Sequence, residues 1–210
     1  ENHSSAFSNT LSQEIENHSG GTMLTNGILN AYVKGTEELE KTEGVDLSAN
    51  SKVASGALPK VFKTDVATIL SQPIISQEVF GPSTVIIKGD TIEALLKAAE
   101  ALEGHLTVTV HANGSDIENY KELFEILREK AGRMVLNGFP TGVEVCHSMM
   151  HGGPYPATSD SRSTSVGTLA IMRFVRPMSF QDFPQKLLPD ELKDDNPLRI
   201  IRMVDGEIIR

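Results

Sequence analysis

The chain has 210 residues, with 19 lysines and arginines against 28 aspartates and glutamates, a formal charge of −9, one cysteine and no tryptophan. That length accommodates one or two domains and buries roughly 70% of the unfolded surface, so no covalent staples are needed. A lone cysteine excludes an internal disulfide framework and any CxxC metal or redox motif, and the acidic balance argues against a nucleic-acid binder. No apolar run approaches the roughly 20 residues of a membrane helix, and ENHSSAFSNT at the start lacks the basic region and apolar core of a signal peptide, so a cytoplasmic chain is expected.

Residues 1–50 carry eight acidic side chains against Lys34 and Lys41, the pattern of a solvated helical surface. Phe7, Leu11 and Ile15 recur every four residues and predict a short amphipathic helix. A second is predicted over about 26–34, with Ile28, Leu29, Tyr32 and Val33 on its apolar side, after the break at Gly20-Gly21. Residues 42–55 read as a polar loop, 58–62 as a short strand, and 65–71 as a short helix stopped by Pro73.

The middle of the chain is the most regular. Segments 84–88, 106–111 and 133–137 are rich in β-branched and apolar residues. Between them lie two helices, one opening at Asp90 with Glu93 three residues on, the other at Ser115 with Glu118. The first aligns Ile92, Leu95, Leu96, Ala99 and Leu102; the second aligns Ile117, Tyr120, Phe124 and Leu127 and ends at Gly132. Strand, helix, strand, helix, strand at this spacing predicts an α/β fold built on a parallel βαβαβ sheet with right-handed crossovers.

Residues 138–165 lose all periodicity and are rich in glycine, proline and hydroxyl side chains. A loop that long is functional or disordered, and this one follows a parallel strand, where α/β proteins place ligands. Segment 169–175 is predicted as a further strand, and the tail to Arg210 as a wrapping or pairing arm. The chain accordingly divides into 1–165, an α/β domain with its long loop, and 166–210, a pairing arm.

Two constellations have chemical potential. Gly81-Pro82 forces a tight strand entry that presents Glu78 and Phe80 from a stiff corner. A carboxylate there accepts hydrogen bonds from vicinal sugar hydroxyls, and an aromatic ring offers a flat face to a planar ring; the plainer reading is a turn with a surface glutamate. His147 and His151, four apart, would share a helix face as a metal pair does, but this is not H-E-x-x-H and Gly152-Gly153-Pro154 ends any helix at once, so no metal is assigned. There is no G-x-G-x-x-G, P-loop or G-x-S-x-G.

Glu78-Val79-Phe80-Gly81-Pro82 resembles the E-[VI]-F-G-P signature of aldehyde dehydrogenases, and Gly132-Arg133-Met134-Val135-Leu136-Asn137 resembles their G-R-x-x-x-N strand. Narrower wording, in Asn137-Gly138-Phe139-Pro140-Thr141-Gly142-Val143-Glu144-Val145 and in residues 151–162 and 164–171, is similar to the α-ketoglutaric semialdehyde dehydrogenase branch of that superfamily. The likeness covers the whole chain and corresponds to the C-terminal portion of such an enzyme.

The resemblance implies the catalytic-domain fold and an intact enzyme that oxidises a small aldehyde to a carboxylate with NAD or NADP. It implies that Glu78 holds the nicotinamide ribose, that Phe80 packs near the nicotinamide, and that Asn137 supports the active-site loop. Phe139, Cys146, Tyr155 and Arg162 fall in the loop lining the substrate entrance, where Arg162 suits a second carboxylate or a structural ion pair. Cys146 lies outside the family's nucleophile motif, so no catalytic residue is assigned. With nucleophile, general base and most of the cofactor pocket missing, the chain alone is expected to be inert and to bind no cofactor tightly. A homo-oligomer through the arm, or a non-enzymatic assembly module, is the companion expectation, with neither nucleic acid nor membrane as partner.

Overall fold

The computed structural model describes residues 2–53, 56–140 and 142–210; Glu1, Ala54, Ser55 and Thr141, the last within the predicted entrance loop, lie outside the described residues. Two compact units divide the chain, Glu1–Arg173 and Phe174–Arg210.

The first unit opens with two helices. α1 (Asn2–Asn17) lies on the first strand, where Ser12 Oγ and Ser48 Oγ are 3.1 Å apart and Glu16 pairs with Lys52. α2 (Asn26–Lys41) starts at Thr25, whose hydroxyl accepts the Ile28 N–H at 3.2 Å. It runs seven residues beyond the predicted end. Its acidic second half is supported by Lys34–Glu38 and Glu37–Lys41 pairs four apart, and Tyr32, Thr36 and Leu39 carry one buried face through it.

β1 (Asp46–Asn50), read from sequence as loop, pairs antiparallel with β2 (Lys60–Asp65). A register shift between Leu47 and Ala49 hides its alternation. β2 crosses through α3 (Val66–Ser71) and a 3₁₀ turn (Pro73–Ser76) to pair in parallel with β3 (Ser83–Lys88). Asp65 caps α3 by accepting the Thr68 N–H at 2.8 Å. Phe62, fully buried, centres a core of Leu39, Val45, Ile69 and Ile75.

α4 (Ile92–Ala101) follows, capped by Thr91 rather than Asp90, and packs on both α3 and the later α6. β4 (His105–Val110) and β5 (Ala131–Leu136) pair in parallel, joined by α5 (Gly114–Asn119) and α6 (Lys121–Lys130). The single predicted helix between them breaks at Tyr120, and its capping box is Asn113 with Asp116, not Ser115 with Glu118. Ile117 and Tyr120, expected inside, are each 36% exposed.

The parallel α/β class holds, but the ladders are not one continuous βαβαβ sheet. β3 hydrogen-bonds to β2, β4 to β5, and β3 and β4 stand in separate sheets. Periodicity identifies strands and gives no information on which strands are neighbours. Segment 169–175 is likewise not a strand. Thr168–Arg173 forms a 3₁₀ turn begun by the Ala170 N–H to Gly167 carbonyl bond of 3.1 Å, local bonds taking the place of a ladder.

The second unit, Phe174–Arg210, has 3₁₀ turns at Gln185–Leu187 and Asp190–Leu192 and ends in a hairpin of β6 (Arg202–Val204) and β7 (Glu207–Ile209). Asp205 and Gly206 both have positive φ, the two-residue turn that matches strand twist. No helix among the described residues is long and apolar enough to cross a membrane.

Candidate functional site

The corner before β3 is held from below by α2. Tyr32 is buried, and its hydroxyl donates to the Leu58 carbonyl at 2.6 Å and lies 3.4 Å from the Pro82 carbonyl. Burial pushes the phenol up to about 12. Gly81 rests on the ring so closely that a Cβ there would sit 2.3 Å from Tyr32 Cδ2, which explains the glycine physically. The Lys60 N–H donates to the Pro82 carbonyl at 3.0 Å and ties the corner to β2.

Above that seat Glu78 is exposed and Phe80 is 67% exposed. Glu78 stands between two hollows. One, of about 520 Å³, is lined by Met23, Leu39, Val79, Phe80, Thr84 and Val85; the other, of about 660 Å³, by Gln77, Glu103, His105, Thr107 and Pro156. An unencumbered carboxylate beside an outward-facing ring fits the ribose and planar base of a nicotinamide nucleoside. Nothing among the described residues supplies a glycine-rich phosphate cradle, so the fit extends to that end of a dinucleotide only.

The loop after β5 spans both ends of the β4–β5 pair. At the far end, Asn137 adopts φ 51° and its side chain clasps the Ala112 backbone, accepting the N–H at 2.9 Å and donating to the carbonyl at 2.8 Å. Phe139, 78% exposed, tilts against His111 with ring centroids 5.3 Å apart. The chain then returns to the near end. Arg133 donates to the Gly142 carbonyl at 3.0 Å, and a Cβ on Gly132 would lie 2.0 Å from the Gly152 carbonyl oxygen. Buried Thr164 accepts the His151 N–H at 2.8 Å and donates to the Val166 carbonyl at 2.6 Å, closing the loop on itself.

The residues singled out in the loop therefore fall apart into groups. Pro156 lines the same hollow as Glu78, and its neighbour Tyr155 is 83% exposed. Phe139 lies at the other end of β5. Cys146 is half-buried, with Sγ 3.5 Å from Ser148 Oγ. Arg162, with 90% of its side chain exposed, binds its own neighbour: Nε is 3.0 Å from Asp160 Oδ1, and the guanidinium holds that carboxyl below the usual range. His147 sits in a turn, so no helix face unites it with His151. Among the described residues no three His, Cys, Asp or Glu side chains converge to hold a metal ion. The Tyr32 seat and the Asn137 clasp are long-range contacts that local patterning does not report.

The fold is that of aldehyde dehydrogenases. Solved structures that match it include succinic semialdehyde dehydrogenase of Streptococcus pyogenes in complex with NADP+ (TM-score 0.63, 16% identity, 82% of this chain and 38% of that one). Lactaldehyde dehydrogenase of Escherichia coli matches with a TM-score of 0.63 at 15% identity, over 82% of this chain and 36% of that one. No family model matches the chain. In sequence it is 48% identical over 188 residues to α-ketoglutaric semialdehyde dehydrogenase of Acinetobacter baylyi, which covers 88% of this chain and 36% of that protein. It is 42% identical over 207 residues to α-ketoglutaric semialdehyde dehydrogenase 2 of Azospirillum brasilense, covering 96% and 39%. The chain is similar to aldehyde dehydrogenases in sequence and in fold, and it spans well under half the length of these relatives.

Proposed function

We propose that the chain is the C-terminal portion of an NAD(P)-dependent aldehyde dehydrogenase that oxidises a semialdehyde, α-ketoglutaric semialdehyde in particular, to the carboxylate. The observation that carries this reading is the exposed Glu78–Phe80 corner, in a chain 48% identical to a dehydrogenase of that substrate. Glu78 would accept hydrogen bonds from the nicotinamide ribose and Phe80 would wall the ring; the bound dinucleotide supplies the hydride acceptor. Phe139, Cys146, Tyr155 and Arg162 belong to the substrate entrance in this reading, and the setting is the cytoplasm.

The 210-residue chain alone is inert in this reading, because Cys146 lies outside the family's nucleophile motif and, among the described residues, its thiol meets the Ser148 hydroxyl, which is not a base. The test is aldehyde-dependent NAD(P)H formation by the purified chain with α-ketoglutaric semialdehyde. No turnover is expected; robust turnover abolished by Cys146→Ser overturns the reading. Supplementing the chain with the unmatched part of the Acinetobacter baylyi relative is expected to restore turnover, and Glu78→Gln then to raise KM for NAD(P)+ while sparing KM for the aldehyde.

A second reading is an assembly module. Leu169, Ile171 and Met172 at the end of the first unit are between 53% and 61% exposed in one short run. Light scattering on the eluting chain distinguishes the two: a monomer at high concentration counts against self-assembly.

A further inference from the structure

The residues that alternate with Glu78 and Phe80 in sequence are the ones that meet α2. Val79 and Gly81 meet α2, while Glu78 and Phe80 are exposed. The contact on the α2 side is close at two points. Gly35 leaves room for Val79, since a Cβ there would meet the Val79 methyls at 3.0 and 3.1 Å. One turn earlier, the Tyr32 ring carries Gly81, and its hydroxyl lies between the Leu58 and Pro82 carbonyls. Each anchor is a neighbour of a functional side chain, so a shift of either anchor turns Glu78 and Phe80 with it.

We propose that Tyr32 and Gly35 of α2 form the seat that sets the angle of the corner, with Tyr32 as a positioning residue for the Glu78 carboxylate and the Phe80 ring. This rests on the reading of the corner as the nicotinamide-ribose contact, but the seat itself is testable without nucleotide. The chain has no tryptophan, so Phe80→Trp places a single reporter at the exposed tip.

In that background Tyr32→Phe keeps the ring and removes the hydroxyl, and Gly35→Ala crowds Val79. Both are expected to lower the anisotropy of the reporter. In the native background, amide exchange at Lys60 and Ser83, whose N–H groups donate to the Pro82 and Gly81 carbonyls, is expected to quicken about tenfold with Tyr32→Phe, the equivalent of one hydrogen bond. Exchange in β4 and β5 stays as it was. Unchanged anisotropy and unchanged exchange at Lys60 and Ser83 in both variants overturn the proposal, as does exchange that quickens uniformly through the first unit, which marks a merely structural role. Neither arm contains nucleotide, so failure here is separate from failure of the ribose contact, which Glu78→Gln reports.

Discussion

The side-chain amide of Asn137 lies edge to edge with the backbone of Ala112, its Oδ1 2.9 Å from the amide nitrogen and its Nδ2 2.8 Å from the carbonyl oxygen. An amide group at the end of β5 thereby extends the β4–β5 pairing by one more step. Asparagine suits this place twice, since it also tolerates the left-handed φ of 51°.

Replacing Asn137 with alanine removes both bonds and leaves a Cβ residue with positive φ. The expected loss is about 1–2 kcal/mol in urea unfolding. Asn137→Gly relieves the backbone and still loses the clasp, so it is expected to fall between alanine and the native chain. Equal stability of all three would remove the clasp from the account of this loop.

Thr164 is the buried fastener of the entrance loop, satisfied on both sides by His151 and Val166. Thr164→Val keeps the shape and strands two backbone groups. A cost of about 1–3 kcal/mol is expected, together with faster proteolysis between residues 142 and 162. Native cleavage rates in the variant would show that the loop closes without this hydroxyl.

Gly132 lets the returning loop touch the first turn of β5, where a Cβ would overlap the Gly152 carbonyl. Gly132→Ala cannot be absorbed by a flexible side chain because the clash is with backbone. The expected outcome is release of residues 152–157 from the β4–β5 pair, visible as new amide exchange at His105 and Leu106, while β1–β3 remain protected.

Alkaline unfolding should report Tyr32. Its folded pKa of about 12 exceeds the ordinary value of 10, so the folded chain holds the proton more tightly than the unfolded one. The stabilisation is complete below pH 10 and is lost as pH rises towards 12, at about 1.4 kcal/mol per pH unit in that window. Tyr32→Phe is expected to flatten the slope between pH 10 and 12; an unchanged slope assigns the alkaline transition to other groups.

Much of the architecture was legible because its signals are local. Ile92, Leu95, Leu96 and Ala99 fall on one face at helical spacing, and a helix forms there. β3, β4 and β5 announce themselves through β-branched runs. What failed was governed by partners distant in sequence. β1 is a strand only because β2 lies beside it, and α2 continues past Lys34 because Tyr32, Thr36 and Leu39 find a core. Segment 169–175 has β-like residues and no ladder, so it settles into 3₁₀ bonds.

The corner motif, the strand ending in Asn137 and the family likeness were written in residue order, since motif spacing and helical or strand periodicity are properties of neighbouring residues. Which groups meet was decided in three dimensions: Tyr32 under Gly81, Asn137 against Ala112, Pro156 across a hollow from Glu78, and Arg162 bound to Asp160. Such contacts depend on how helices and strands stack, and burial and hydrogen-bond geometry at those junctions are set by packing, which no local pattern encodes.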